Sequence, residues 1–128
     1  MSEYVLVNLG DVEDAAAKHG MGELGASRFA RGALGAEQVG VALHQLKPGK
    51  RQGFGHRHQD AEEVYVVIAG GGRVKLDDRI IELQERDALR VAPTTARRFE
   101  AGDDGLELLV FGQHFEGDGE ILPEFWAD

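Results

Sequence analysis

Apolar and polar residues alternate along this chain in short runs, and glycine-rich breaks separate the runs. A period of two marks half-buried strands rather than helices. Residues 4–9, 27–34, 38–46, 52–58, 64–68, 73–76, 79–83 and 106–111 read as strands on this pattern. Within 38–46, Val39, Val41 and Leu43 share one face, while Ala42, His44 and Leu46 share the other. Lys47-Pro48-Gly49 signals a turn, and Asp77-Asp78 a hairpin, because Asp tolerates left-handed backbone angles. Gly70-Gly71-Gly72 is expected to stop the strand before it, and residues 102–105 to turn the chain into the final strand. The run 64–68 is apolar on both faces, which predicts cover on both sides. One segment, 12–18, reads as a short helix, capped by Asp11 and closed by Gly20, with His19 in its last turn. An all-β protein with a short N-terminal helix follows. The tail 115–128 is acidic but carries Phe115, Ile121, Leu122, Phe125 and Trp126, so it is expected to dock on the folded body or on a second copy.

Composition narrows this picture. A chain of 128 residues suggests one domain, and its 18 glycines suit a fold with many turns. The 23 acidic and 14 basic residues give a net charge of −9, which disfavours a non-specific nucleic-acid binder. Cysteine is absent, which removes disulfides, thiolate metal sites and a cysteine nucleophile. No apolar run approaches the roughly 20 residues that span a bilayer, and no secretory signal is visible, so a cytoplasmic protein with no membrane role is expected.

The chemistry concentrates between residues 55 and 70. His56 and His58 are one residue apart, so in an extended segment both imidazoles project from one face. Glu63 follows five residues after His58. Two imidazoles and a carboxylate converging on a cavity suit a divalent transition metal: Fe, Mn, Ni or Zn. Phe54 shares the parity of the histidines, Tyr65 shares the face of Glu63, and His44 is a further residue able to reach the same cavity. Other chemistries find little support. Ser2 and Ser27 lie in no nucleophile elbow, and no Gly-Lys-Ser/Thr follows the triple glycine to make a phosphate loop.

His56, His58, Glu63 and Gly70 together resemble the first motif of the cupin family, in which His-x-His is followed by a glutamate and, six residues later, a glycine. Glu62 satisfies the shorter permitted spacing, but only Glu63 keeps the six-residue gap to Gly70. Gly49 lies one residue too far from His56 to be the motif's leading glycine. The resemblance implies a double-stranded β-helix, or jelly-roll barrel, with its site inside. The core barrel would cover about residues 38–111; residues 1–37 would add a strand, the short helix and a further strand, and residues 112–128 a C-terminal tail. It also implies a homodimer built by packing sheets together, and a small-molecule ligand.

The second cupin motif is only partly present. Aligned on Asp87, it places Arg86 at a glycine, Arg97 at the metal-binding histidine and Ala101 at an asparagine; aligned on Pro93, it places Arg98 at the histidine. Arginine offers no lone pair to a metal. Two readings stand. In one, His56, His58 and Glu63 hold a metal ion in an enzyme acting on a small polar or acidic metabolite, with Arg97 clamping its acid group and Tyr65 offering a hydroxyl. In the other, Arg97 pairs with Glu63 and replaces the metal's charge, and the barrel is a non-catalytic binding or sensor module.

Overall fold

The computed structural model describes residues 3–128. Its elements run from a 3-10 turn at Leu9–Asp11 to α1 (Ala15–Lys18), β1 (Gly25–Phe29), α2 (Arg31–Leu34), β2 (Val39–Leu46), β3 (Gly55–His58), β4 (Glu63–Leu76), β5 (Arg79–Leu83), β6 (Ala88–Val91), β7 (Arg97–Gln113) and β8 (Gly119–Leu122). All named strand pairings are antiparallel. The sheet runs β1-β2-β7-β3-β8, and β4 adds to it by pairing with β7, β5 and β6.

Two long strands give the sheet its curl. The first half of β4 pairs with the second half of β7 (Tyr65 opposite Val110), and its last residues pair with the start of β7 (Val74 opposite Phe99). The register slips between Val67 and Ala69 and again between Gly70 and Gly72. Such bulges bend a strand and increase its twist. The curl encloses a core that includes Val67, Val74, Val91, Phe99, Leu106 and Leu108, each at most 2% exposed. Burying a side chain of this kind contributes roughly 1.5–3 kcal/mol.

The structure corrects the sequence reading in several places. Gly70-Gly71-Gly72 does not stop a strand; β4 runs through it. A Cβ on Gly70 would collide with the Gly105 carbonyl, and one on Gly72 with the Glu100 carbonyl, so these glycines permit close strand approach rather than reversal. Residues 102–105 likewise lie inside β7, where Gly105 takes φ 78 opposite the bulged part of β4. The strand expected at 27–34 breaks after Phe29 into α2, which Gly35 ends at φ 66. The first helix is capped by Asp14 rather than Asp11. Asp14 Oδ1 accepts from Ala16 N (2.9 Å) and from Ser27 N (3.0 Å), so the cap also ties the helix to β1. Residues 4–9 form no strand. Asp14 instead bridges Arg28 on the outer side of β1, and Tyr4 and Leu6 stay exposed.

The tail docks on the sheet, as its aromatic content suggested. β8 pairs with β3 from Gly55 opposite Leu122 to His58 opposite Gly119. Arg51 stacks 3.9 Å over the Trp126 ring and donates to the Trp126 carbonyl (2.6 Å), while its other nitrogens hold Glu100. Arg98, buried, donates to the Phe125 carbonyl at 2.9 Å. Among the described residues, no helix is long and apolar enough to cross a membrane.

Candidate metal centre

β3 and the start of β4 lie on either side of the two-residue bend at Gln59-Asp60, and this brings His56, His58 and Glu63 together. One ligand-capable atom from each lies within 4.8 Å of the others. His56 Nε2 and His58 Nε2 each stand 3.3 Å from Glu63 Oε1. The two imidazole planes are nearly perpendicular, at 87°, with centroids 5.1 Å apart. Tyr65, on the same face of β4, donates its hydroxyl to Glu63 Oε1 at 2.6 Å. Burial pushes the Glu63 carboxyl up, but hydrogen bonding with His56, His58 and Tyr65 outweighs it and holds the group well below the usual carboxylate range. Burial and the facing Glu63 charge keep the Tyr65 phenol protonated, far above its ordinary value.

Asp118 fixes the orientation of His58. This tail residue, 6% exposed, accepts from the backbone N–H groups of Asp60 (2.8 Å) and Ala61 (3.0 Å) and meets His58 Nδ1 at 3.1 Å. Burial raises the Asp118 carboxyl, and those N–H groups more than offset it, so the group stays ionised. An ionised carboxylate only accepts, so His58 Nδ1 carries a proton. The buried Nε2 of the same ring faces Glu63 Oε1 at 3.3 Å, and hydrogen bonding to Glu63 raises the imidazole above its ordinary value. A positive charge suits the space between these two atoms, either a proton on Nε2 or a metal ion in its place. Ligands at about 2.0–2.2 Å from a shared ion are roughly 3.0–3.4 Å apart, which the observed spacings match. The donor set therefore fits a borderline transition metal, and Asp118-His58 is the outer carboxylate contact that metal-bound histidines commonly make.

The other residues singled out from sequence lie around or behind this cluster. His44 and Phe54 line a cavity of about 740 Å³ that opens from the cluster, and Tyr65 forms part of its wall. His44 Nδ1 is 2.9 Å from Ser27 Oγ, and Phe29 meets its ring edge-on at 5.4 Å. His44 is outside the ligand cluster; burial, with the neighbouring His56, pushes its imidazole down to about 4, so it is neutral at pH 7.

Arg97 departs from both roles read for it. It points inward and is fully buried, but it forms no ion pair with Glu63 among the described residues and is not part of the cavity wall. Its Nη2 donates to the Ala92 carbonyl at 3.1 Å, while Nε and Nη1 have no partner. Arg97 pairs in register with His56, so its side chain leaves the same face of the sheet, and its charge acts on both His58 and Tyr65. Arg98 takes the opposite face and holds the tail.

Sequence reasoning missed Asp118. Its only local signal is the Gly117-Asp118-Gly119 turn ahead of Ile121 and Leu122; that this turn lands beside His58 depends on β8 pairing with β3. All five histidines of the chain, including His19 and His114, line the one cavity.

Known proteins share this arrangement of strands. Residues 42–112 match the family described as the cupin domain. An uncharacterized protein of Methanocaldococcus jannaschii is 30% identical over 70 residues, which cover 52% of this chain and 56% of that protein. The chain thus matches a little over half the length of that curated relative. A solved cupin protein from Bacteroides fragilis superposes with a TM-score of 0.71 at 25% identity, over 91% of this chain and 88% of its own. A structure titled as a sugar phosphate isomerase from Silicibacter pomeroyi gives 0.70 at 18% identity, covering 91% of this chain and 81% of that one. A salicylate 1,2-dioxygenase from Pseudaminobacter salicylatoxidans gives 0.57 at 16% identity, covering 66% of this chain and 25% of its own. The last two show a common fold alone.

Proposed function

The chain belongs to the cupin-domain family, and from that premise we propose that it is a metal-binding cupin whose ion acts on a small molecule held in the cavity. His56, His58 and Glu63 hold the ion (Fe, Mn, Ni or Zn), leaving positions open toward the cavity. The observation that carries this reading is the convergence of one ligand-capable atom each from His56, His58 and Glu63, with His58 oriented by Asp118. A bound ion would supply Lewis acidity to a substrate oxygen. The chain's own groups would set the surroundings: Asp118 fixes the His58 tautomer, and Tyr65 O–H holds Glu63 in place.

Elemental analysis of protein purified without an affinity tag tests this. Wild type is expected to carry about one ion per chain and His58→Ala none. Asp118→Asn is expected to keep the fold and bind the same ion about 10–100-fold more weakly, as loss of an outer partner does elsewhere. No ion in wild type, even after soaking with Fe, Mn, Ni and Zn, would overturn the reading.

One observation favours a second reading. Arg97 buries a positive charge beside His58, at the place where the family motif has a histidine ligand. A non-catalytic binding or sensor cupin without metal fits that charge, and it predicts ligand-induced stabilisation of the metal-free protein with no turnover.

We further propose a homodimer. The outer face of the sheet carries Val41, Phe111 and Val64 in one row and Leu43, Leu109 and Val66 in the next. Val39, Phe111 and Ile68 on or beside it are 55%, 38% and 44% exposed in the single chain. A contiguous apolar sheet face of this kind is what an interface between copies covers.

A further inference from the structure

The cavity beyond the ion ligands has a chemical character that the ligand set does not explain. Its floor is polar: His56, His58, Glu63 and the Tyr65 hydroxyl. The rest is mostly hydrocarbon and aromatic. Ala15 and Ala16 of α1, Met21, Leu24, Phe29 and Phe54 contribute to the wall. This apolar part is built in, not incidental. Gly53 leaves the space that Met21 fills, since a Cβ there would collide with the Met21 sulfur, and the Leu24 side chain closes against the same spot. Phe29, in a short edge strand at 59% exposure, keeps its ring against His44 rather than turning it away.

Charge is almost absent from this compartment. Arg31 is the one lysine or arginine on the wall, and its Nη1 donates to the Ala36 carbonyl at the end of its own helix. Arg97, fully buried beside the cluster, is not among the residues that line the cavity. His44 is held neutral by burial. The remaining wall charge includes the carboxylates of Glu63 and Glu120. The wall also carries Gln45, Gln52 and Gln113, which are uncharged, so a phosphorylated ligand would meet Arg31 as the single lysine or arginine able to offset its charge and would otherwise lose water against a mostly carbon surface.

We infer that the cavity takes a ligand with an oxygen-bearing chelating head and an apolar body at least the size of a single aromatic ring, and that it discriminates against sugar phosphates. The head meets the ion at His56, His58 and Glu63, and the body lies among Phe29, Phe54, Met21 and Leu24. This inference rests on the metal reading for its head and on the cavity wall for its body.

The test compares two hydroxamic acids with the same chelating head. Acetohydroxamate carries a methyl group and benzohydroxamate a phenyl ring. Each is titrated against zinc-loaded protein by calorimetry, with affinities normalised to those of the same compounds for zinc in water. Benzohydroxamate is expected to bind at least about tenfold more tightly, from burial of the ring. Phe29→Ala, a change at a largely exposed position that the fold should tolerate, is expected to narrow that ratio several-fold. Equal affinities for the two compounds would overturn the apolar ligand class while leaving the metal centre standing. Tighter binding of ribose 5-phosphate than of benzohydroxamate would overturn it as well. Benzohydroxamate binding that is unchanged when zinc is removed would overturn the chelating head, and with it the metal reading, while keeping the apolar body.

Discussion

At the scale of single residues, the site is a set of groups whose protonation is fixed by what each touches. Glu63 is ionised because Tyr65 and two histidines surround it, and His58 turns its Nε2 toward Glu63 because Asp118 takes its other nitrogen. His44 shows the opposite logic: burial keeps it neutral down to about 4, against 6.5 for an ordinary histidine. The unfolded chain therefore takes up a proton at this residue before the folded one does, and stability falls as pH falls through that window. In metal-free protein, urea unfolding of wild type and His44→Gln should diverge from pH 7 to pH 4, with wild type losing up to ~3 kcal/mol relative to the variant. Parallel curves for the two proteins would show that His44 contributes nothing to the acid sensitivity. The comparison between variants matters, because the hydrogen bond to Glu63 raises His58 and its contribution runs the other way. His56, His58 and Glu63 were legible in the sequence because their chemistry lies within eight residues of chain. Asp118 was not, since its role depends on a contact 60 residues away.

At the scale of elements, glycines carried the most misleading signal. A triple glycine after an apolar run reads as a turn, yet β4 and β7 each continue through their glycines, and at Gly70 and Gly72 the backbone of β7 approaches too closely for a side chain. Local sequence cannot distinguish the two uses; only the partner strand does. Gly72→Ala is expected to destabilise the protein by about 3 kcal/mol, since the added methyl would meet the Glu100 carbonyl on a neighbouring strand with no flexible group to yield. Gly32→Ala, in α2 with nothing near its Cβ position, should be neutral or stabilise by up to ~1 kcal/mol. Chemical unfolding of both variants checks the pair. Strands with strict alternation fared better: β2, β5 and the hairpin at Asp77, which takes φ 51, lie close to where the pattern put them. Arg86, at a position where the family has glycine, adopts φ 74, so the backbone of the second motif persists after its side chains have changed.

At the scale of the whole molecule, the all-β class was legible from the period of two and the glycine-rich breaks, and the barrel from the resemblance of His56, His58, Glu63 and Gly70 to the first cupin motif. Apolar residues on the outer face are expected to be covered by a second copy. Sedimentation should give twice the 13.9 kDa chain mass for wild type. Phe111→Lys should shift the protein toward a single chain while retaining its ion, and a single-chain wild type would remove the dimer. The docked tail has one further consequence, which concerns the order of events during synthesis. β8 pairs with β3, and Arg51 grips Trp126, across much of the chain. A ribosome-bound chain that has emerged only as far as β7 already displays His56, His58 and Glu63, but lacks the Asp118 carboxylate that orients His58 in the folded protein. If the site holds an ion, capture with the mature ligand geometry would wait until Asp118 and the residues that clamp it have cleared the exit tunnel.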